Sequence, residues 1–128
     1  MYRYFIIPVV WALAILVLYS IPGFDLSYEE PWDLLRLDKI AHMGLFAVMF
    51  LVLMVAFRKQ GSYRRLKFHA RKFSLILTLL YGAVLEFYQG AFFIERSSDL
   101  LDFIANSVGA FLGILLFRIL YGKELARV

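Results

Sequence analysis

Apolar residues are grouped into four long segments that short polar stretches separate. The segments cover approximately residues 4–21, 39–57, 73–92 and 100–121. Each approaches the roughly 20 mainly apolar residues that an α-helix needs to cross a bilayer. They are too continuously apolar for the alternating strands of a membrane barrel, and backbone groups in lipid must be satisfied internally. We therefore predict an all-α fold: an integral membrane four-helix bundle that forms a single domain over residues 1–128.

The polar stretches predict how these helices are joined. Residues 24–38 combine acidic residues with Trp32 and several leucines, so we expect a short amphipathic turn along the lipid headgroups. Residues 58–72 read RKQGSYRRLKFHARK and hold seven lysines and arginines without an acidic residue. Short basic loops stay in the cytoplasm. The first and third loops are therefore predicted to be extracytoplasmic, and the N and C termini cytoplasmic.

Composition agrees with a membrane protein. Of the 128 residues, 62% are hydrophobic, whereas soluble domains are usually about 45–50% apolar. The absence of cysteine excludes disulfides, thiolate metal sites and a cysteine nucleophile. The net charge of +4 comes mainly from the basic loop. A basic loop that stays in the cytoplasm explains this positive charge better than nucleic-acid binding does. We therefore do not expect nucleic acid as a partner.

The predicted orientation brings many polar residues to one depth near the extracytoplasmic surface. They come from the second helix, the third helix, and the third loop with the fourth helix: Asp38, Lys39 and His42; Glu86 and Gln89; Arg96, Asp99, Asp102 and Asn106. Such groups are costly in a membrane unless they have partners or a use. We predict a polar, ligand-binding pocket that opens outward. The inner half of the bundle is almost entirely apolar, so a continuous ion path is not expected.

Helical spacing supports this arrangement. Asp102, Asn106, Gly109 and Gly113 step by three or four residues along one stripe of the fourth helix. The two glycines form a GxxxG pattern, which allows close helix packing. The sequence leaves open whether that packing occurs within one chain or in an oligomer.

Each polar residue also has a structural explanation. Arg96 suits a surface ion pair, and Lys39 suits a side chain that extends to the interface. His42 and Asn106 suit structural hydrogen bonds between helices. Glu86 is harder to explain in this way, because it sits within an apolar helix.

The spaced motifs resemble the VanZ-like family of small bacterial membrane proteins. The matching patterns are D-K-x-x-H from Asp38, E-x-x-Q from Glu86, and R-x-x-D-x-x-D-x-x-x-N-x-x-G from Arg96 to Gly109. The family is named after an accessory protein of glycopeptide-resistance clusters and is associated with low-level teicoplanin resistance. The resemblance implies a multi-pass protein of the bacterial inner (cytoplasmic) membrane that acts in the cell envelope. Its biochemical activity is not fixed by the resemblance.

Three functions follow. The first is recognition of a headgroup on a lipid-linked cell-wall precursor or a glycopeptide antibiotic. The second is an intramembrane hydrolase or transferase, with Glu86 and Asp99 or Asp102 as acid and base and His42 as proton shuttle. The third is a purely structural network. No established metal motif is present, although His42, Glu86 and Asp102 are chemically suitable ligands. The cofactor is unknown, since none is indicated strongly, and the lipid bilayer is the expected partner.

Overall fold

The structure is a computed structural model that describes the backbone of residues 2–20, 31–92 and 100–126, and the side chains of residues 2–18, 20, 39–88 and 103–122. Every regular element within those ranges is helical, which confirms the predicted all-α class. A short 3-10 helix, Tyr2–Phe5, leads into five α-helices. They are α1 (Ile6–Ser20), α2 (Pro31–Lys59), α3 (Arg64–Phe68), α4 (Ala70–Phe92) and α5 (Leu100–Ala126).

Two connections differ from the sequence prediction. Residues 31–38 do not form a separate turn, because their backbone is the start of α2. This helix begins at Pro31, whose fixed φ suits the first helical position. The basic stretch is also mostly helical, because α2 extends to Lys59 and α3 follows four residues later. The apolar residues mark only the part of a helix that is suited to lipid. The backbone hydrogen bonds of the helix continue into the polar residues that flank this part. The predicted segments were therefore too narrow for α2 and for the start of α4, whereas α5 begins at the predicted residue.

The C-terminal helix is interrupted where its apolar sequence ends. Gly122 has φ 76° and ψ 176° inside α5, a conformation that only glycine adopts readily. The uninterrupted part of α5 thus ends at Tyr121, at the boundary expected from the sequence.

Two helical stretches in the described part of the chain are long and apolar enough to cross a membrane. They are Lys39–Lys59 and Phe103–Gly122. The apolar helix Tyr2–Leu18 is shorter. Helix α4 is not among them, and it carries Arg71 and Lys72 at its start and Glu86 within it. Four membrane crossings thus remain a prediction.

Helix α2 lies at the centre of the packing, where it contacts α1, α3, α4 and α5. Its side chains dominate the core: Phe46, Phe50 and Met54 are almost fully buried, together with Ile15 of α1 and Leu85 of α4. An α-helix that is apolar on several faces is suited to this central position.

Side-chain contacts define the relative directions of the helices. Gly109 lies against Met43, Gly113 lies against Phe50, and the Arg58 guanidinium lies 5.9 Å from the centre of the Phe117 ring, so α2 and α5 run parallel. Helix α4 runs the opposite way. Its Gly82 lies beside Phe46, and its Phe73 ring lies 6.3 Å from that of Phe57.

Helix α1 is tied to its neighbours by two aromatic side chains. Trp11 Nε1–H donates a hydrogen bond of 3.0 Å to the Leu45 carbonyl oxygen of α2. The Tyr81 hydroxyl of α4 donates to the Ala12 carbonyl oxygen. Both side chains therefore satisfy their polar atoms while their rings fill space between helices.

The contact between α2 and α5 depends on the two glycines of α5. A Cβ atom at Gly109 would lie 2.9 Å from Met43 Cα and 3.0 Å from its carbonyl carbon. A Cβ atom at Gly113 would lie 2.8 Å from Phe50 Cβ and 2.9 Å from the Ala47 oxygen. The GxxxG pattern thus lies at a helix contact within one chain.

We expect Gly109→Ala to destabilise the protein by about 1–3 kcal/mol, because the added methyl group overlaps the α2 backbone. Gly44→Ala is the matched control. Gly44 is also helical, but a Cβ there would have no atom within 4 Å, so its stability should be unchanged or up to about 1 kcal/mol higher. Thermal unfolding in detergent measures both variants. Equal melting temperatures would contradict this account of the α2–α5 contact.

Candidate functional site

A buried hydrogen bond joins His42 of α2 to Asn106 of α5. The His42 Nδ1 to Asn106 Oδ1 distance is 2.9 Å, and the two side chains are only 7% and 2% exposed. The residues are 64 positions apart in sequence. They meet because Gly109, one turn after Asn106, brings the α5 backbone against Met43, the neighbour of His42.

The Asn106 amide determines how the His42 ring presents its nitrogens. An amide oxygen only accepts hydrogen bonds, so Nδ1 must carry the proton in this arrangement. In the neutral ring, Nε2 is then an acceptor. Asn106 therefore orients the imidazole and selects its tautomer.

Helix α4 contributes the third polar group at this depth. Glu86 is 6% exposed and follows Gly82 by one helical turn, so the two residues share a face. A Cβ atom at Gly82 would lie 3.4 Å from Asn106 Cβ and 3.2 Å from Phe46 Cε1. The missing side chain of Gly82 thus allows α4 to approach the His42–Asn106 pair.

Gly82 and Glu86 continue a stripe along the buried face of α4. Ser74 and Thr78 precede them at four-residue intervals, and both are fully buried. Thr78 Oγ1 donates a hydrogen bond of 2.7 Å to the Ser74 carbonyl oxygen. This stripe of small and polar residues was missed in the sequence interpretation, although its regular spacing was visible.

The structure places two of the predicted polar residues, His42 and Asn106, in direct contact, and Glu86 is buried on α4 one helical turn after Gly82, which lies beside Asn106. Lys39 is partly exposed and lies three residues before His42, at the edge of this cluster. The other predicted site residues are outside the described side chains. For Asp38, Gln89 and Asp102 only the helical backbone is described, and Arg96 and Asp99 fall outside the described ranges.

The described side chains do not form a metal centre. Within residues 39–88 and 103–122, no group of three histidine, aspartate or glutamate side chains could hold an ion. The metal hypothesis from sequence also required Asp102, whose side chain lies outside those ranges.

The far end of the bundle has different chemistry. There the Phe57 ring packs edge-on against Phe5, with centroids 5.3 Å apart, and also approaches Phe73. Between this aromatic cluster and His42, the buried side chains of α2 include Phe46, Phe50 and Met54. The buried ionisable residues His42 and Glu86 thus lie toward one end of the bundle, and this aromatic cluster lies at the other.

Two helices in the described part of the chain that are long and apolar enough to cross a bilayer suggest a membrane protein. The model of the VanZ/LLP1 family matches residues 4–121. The chain therefore belongs to the VanZ/LLP1 family, as the sequence motifs suggested. No curated protein and no solved structure matches the chain.

The His42–Asn106 bond should appear as an energetic coupling between the two residues. In a double-mutant cycle of His42→Ala and Asn106→Ala, we expect about 0.6–1.7 kcal/mol of coupling in unfolding free energy, as for other hydrogen bonds between membrane helices. Ser107→Ala provides the control, because Ser107 Oγ bonds only within α5 to the Phe103 oxygen at 2.9 Å. Additive effects of the two alanine substitutions would show that the bond contributes nothing.

Proposed function

We propose that the chain is a multi-pass protein of the bacterial cytoplasmic membrane in which α1, α2, α4 and α5 cross the bilayer as a four-helix bundle. In this arrangement both termini are cytoplasmic, and residues 1–128 form one domain. The opposite locations of the polar cluster and the basic stretch support the proposal. Residues 58–72 follow the Phe57 end of α2, and basic loops favour the cytoplasm. His42, Glu86 and Asn106 then face the extracytoplasmic leaflet.

We further propose that this polar cluster recognises the headgroup of a cell-envelope molecule. The supporting observation is the buried His42–Asn106 hydrogen bond beside the buried Glu86. Burying such groups in an apolar bundle is unfavourable unless they are well partnered. An arrangement that also fixes the tautomer of His42 is suited to a defined ligand.

The polar groups of the cluster restrict the chemical class of ligand that it can bind. A carboxylate, a histidine acceptor and an amide complement hydroxyl and amine groups, while Lys39 at the edge complements phosphate or carboxylate. A sugar-bearing, lipid-linked wall precursor offers all of these groups, and so does a lipid-bearing glycopeptide antibiotic. Membership of the VanZ/LLP1 family supports this class, because the family resemblance connects it with teicoplanin resistance.

The other site residues predicted from the sequence complete the proposed site. They are Asp38, Gln89, Arg96, Asp99 and Asp102. Arg96 would add a cationic contact to phosphate. The aspartate carboxylates and the Gln89 amide would add acceptors for sugar hydroxyls. Lipid, the wall precursor and the antibiotic are thus the proposed partners.

An intramembrane hydrolase or transferase is the second candidate. The observation that favours it is the burial of Glu86, because a carboxyl group held inside the bundle can be positioned against a bound substrate as a general acid or base. In this alternative His42 would carry protons, and Asp99 or Asp102 would act as the base.

Binding by the purified full-length protein in lipid nanodiscs tests the proposal. The probes are teicoplanin and a lipid-linked muropeptide precursor. We expect Asn106→Leu to weaken binding of at least one probe about tenfold or more, because leucine keeps the branched shape of the side chain but removes the hydrogen bonds. Ser107→Ala is the control on the adjacent position and should bind as the wild type does.

The outcomes separate the candidates. Equal binding by wild type and Asn106→Leu for both probes would contradict headgroup recognition. Chemical conversion of the precursor that Glu86→Gln abolishes, with binding retained, would instead establish the enzyme. Melting temperatures of the same variants show whether lost binding reflects lost folding.

A further inference from the structure

A second surface lies at the opposite end of the molecule from His42. Five of its cations are exposed: Lys59, Arg64, Arg65, Lys67 and Lys72. We call this the basic surface. The sequence from 58 to 72 contains no acidic residue, so these charges have no local counter-ion in their own segment.

The basic surface is held in place by a buried glutamine. Gln60 is fully buried, and its Nε2 donates to the Phe57 and Tyr63 carbonyl oxygens at 3.3 and 2.8 Å. Its Oε1 accepts from the Tyr63 backbone N–H at 2.9 Å. These three bonds fix the turn between α2 and α3.

Helix α3 is oriented by its one inward aliphatic residue. Leu66 packs against the hydrophobic core, whereas Arg64 and Lys67 are exposed. These two cations are three residues apart and so share a face of the short helix. The basic surface is thus a positioned set of charges.

Exposed aromatic rings accompany the cations. Tyr63 is 56% exposed and Phe68 is 48% exposed. The Arg64 guanidinium lies 5.3 Å from the centre of the Phe68 ring. The apolar stretch Lys39–Lys59 ends next to this segment. Aromatic rings and long cationic side chains at the end of an apolar helix are typical of the membrane–water interface.

We propose that the basic surface binds anionic phospholipid headgroups, with a lipid phosphate contacted by Arg64 and Lys67 and the acyl region contacted by Tyr63 and Phe68. Charge complementarity favours this partner, because the five exposed cations would face the anionic cytoplasmic leaflet in the orientation proposed above, on which this inference rests. A soluble polyanion would use the cations but leave the two rings in water. The site is separate from the His42–Asn106 cluster and does not depend on its function.

Native mass spectrometry of the purified full-length protein tests this site. The protein is titrated with dioleoyl-phosphatidylglycerol or with dioleoyl-phosphatidylcholine, and the apparent dissociation constants are compared. We expect tighter binding of phosphatidylglycerol. The double variant Arg64→Gln/Lys67→Gln should weaken that binding about thirty-fold, which is roughly fivefold for each neutralised cation.

The double variant Arg3→Gln/Arg118→Gln is the charge-matched control. It removes two exposed cations at the same end of the molecule, since Arg3 is near the Phe5–Phe57 contact and Arg118 follows Phe117. Its phosphatidylglycerol affinity should remain within about threefold of wild type. The proposal is overturned if both double variants lose affinity equally, if Arg64→Gln/Lys67→Gln loses none, or if wild type binds the two lipids equally well.

Discussion

The close approach of α5 to α2 is the constraint on which the other features depend. The α5 backbone lies against the Met43 backbone at Gly109, and against the Phe50 side chain and the Ala47 oxygen at Gly113, so the helices meet at a distance that a larger residue at either position would prevent. This contact sets both the separation and the register of the helices. The His42–Asn106 hydrogen bond of 2.9 Å needs both, because it lies one turn from Gly109. The polar cluster is therefore a consequence of backbone packing.

Polar and charged groups are divided between the two ends of the molecule. At one end, His42, Glu86 and Asn106 are buried between three helices. At the other, the cations of the basic surface are exposed around α3. The low dielectric between them makes unpaired charge expensive, so aromatic and aliphatic side chains such as Phe50 and Met54 occupy that space. Each end can therefore carry its own chemistry with little interference from the other.

Sequence patterns were sufficient for the all-α class and the family, because hydrophobic segments and motif spacing encode them directly. They predicted a similar depth for His42 and Asn106 but did not pair the two side chains. They did not reveal α3, the early start of α2 at Pro31, or the role of Gln60. Those features depend on backbone hydrogen bonds in polar sequence, where hydropathy carries no information. Gly82 was also missed, because its importance lies in the neighbouring Phe46 and Asn106, which only the packing of α4 defines.

The two faces of α5 differ in how freely their residues can change during evolution. On the face toward α2, a single methyl group at Gly109 or Gly113 meets backbone or ring atoms, so almost every substitution there would disturb the helix contact. On the other face, Ile104, Val108, Phe111 and Leu115 are exposed and need only remain apolar. One helix thus combines positions that are nearly frozen with positions that drift neutrally, and homologues should diverge in a pattern that follows the helical turn.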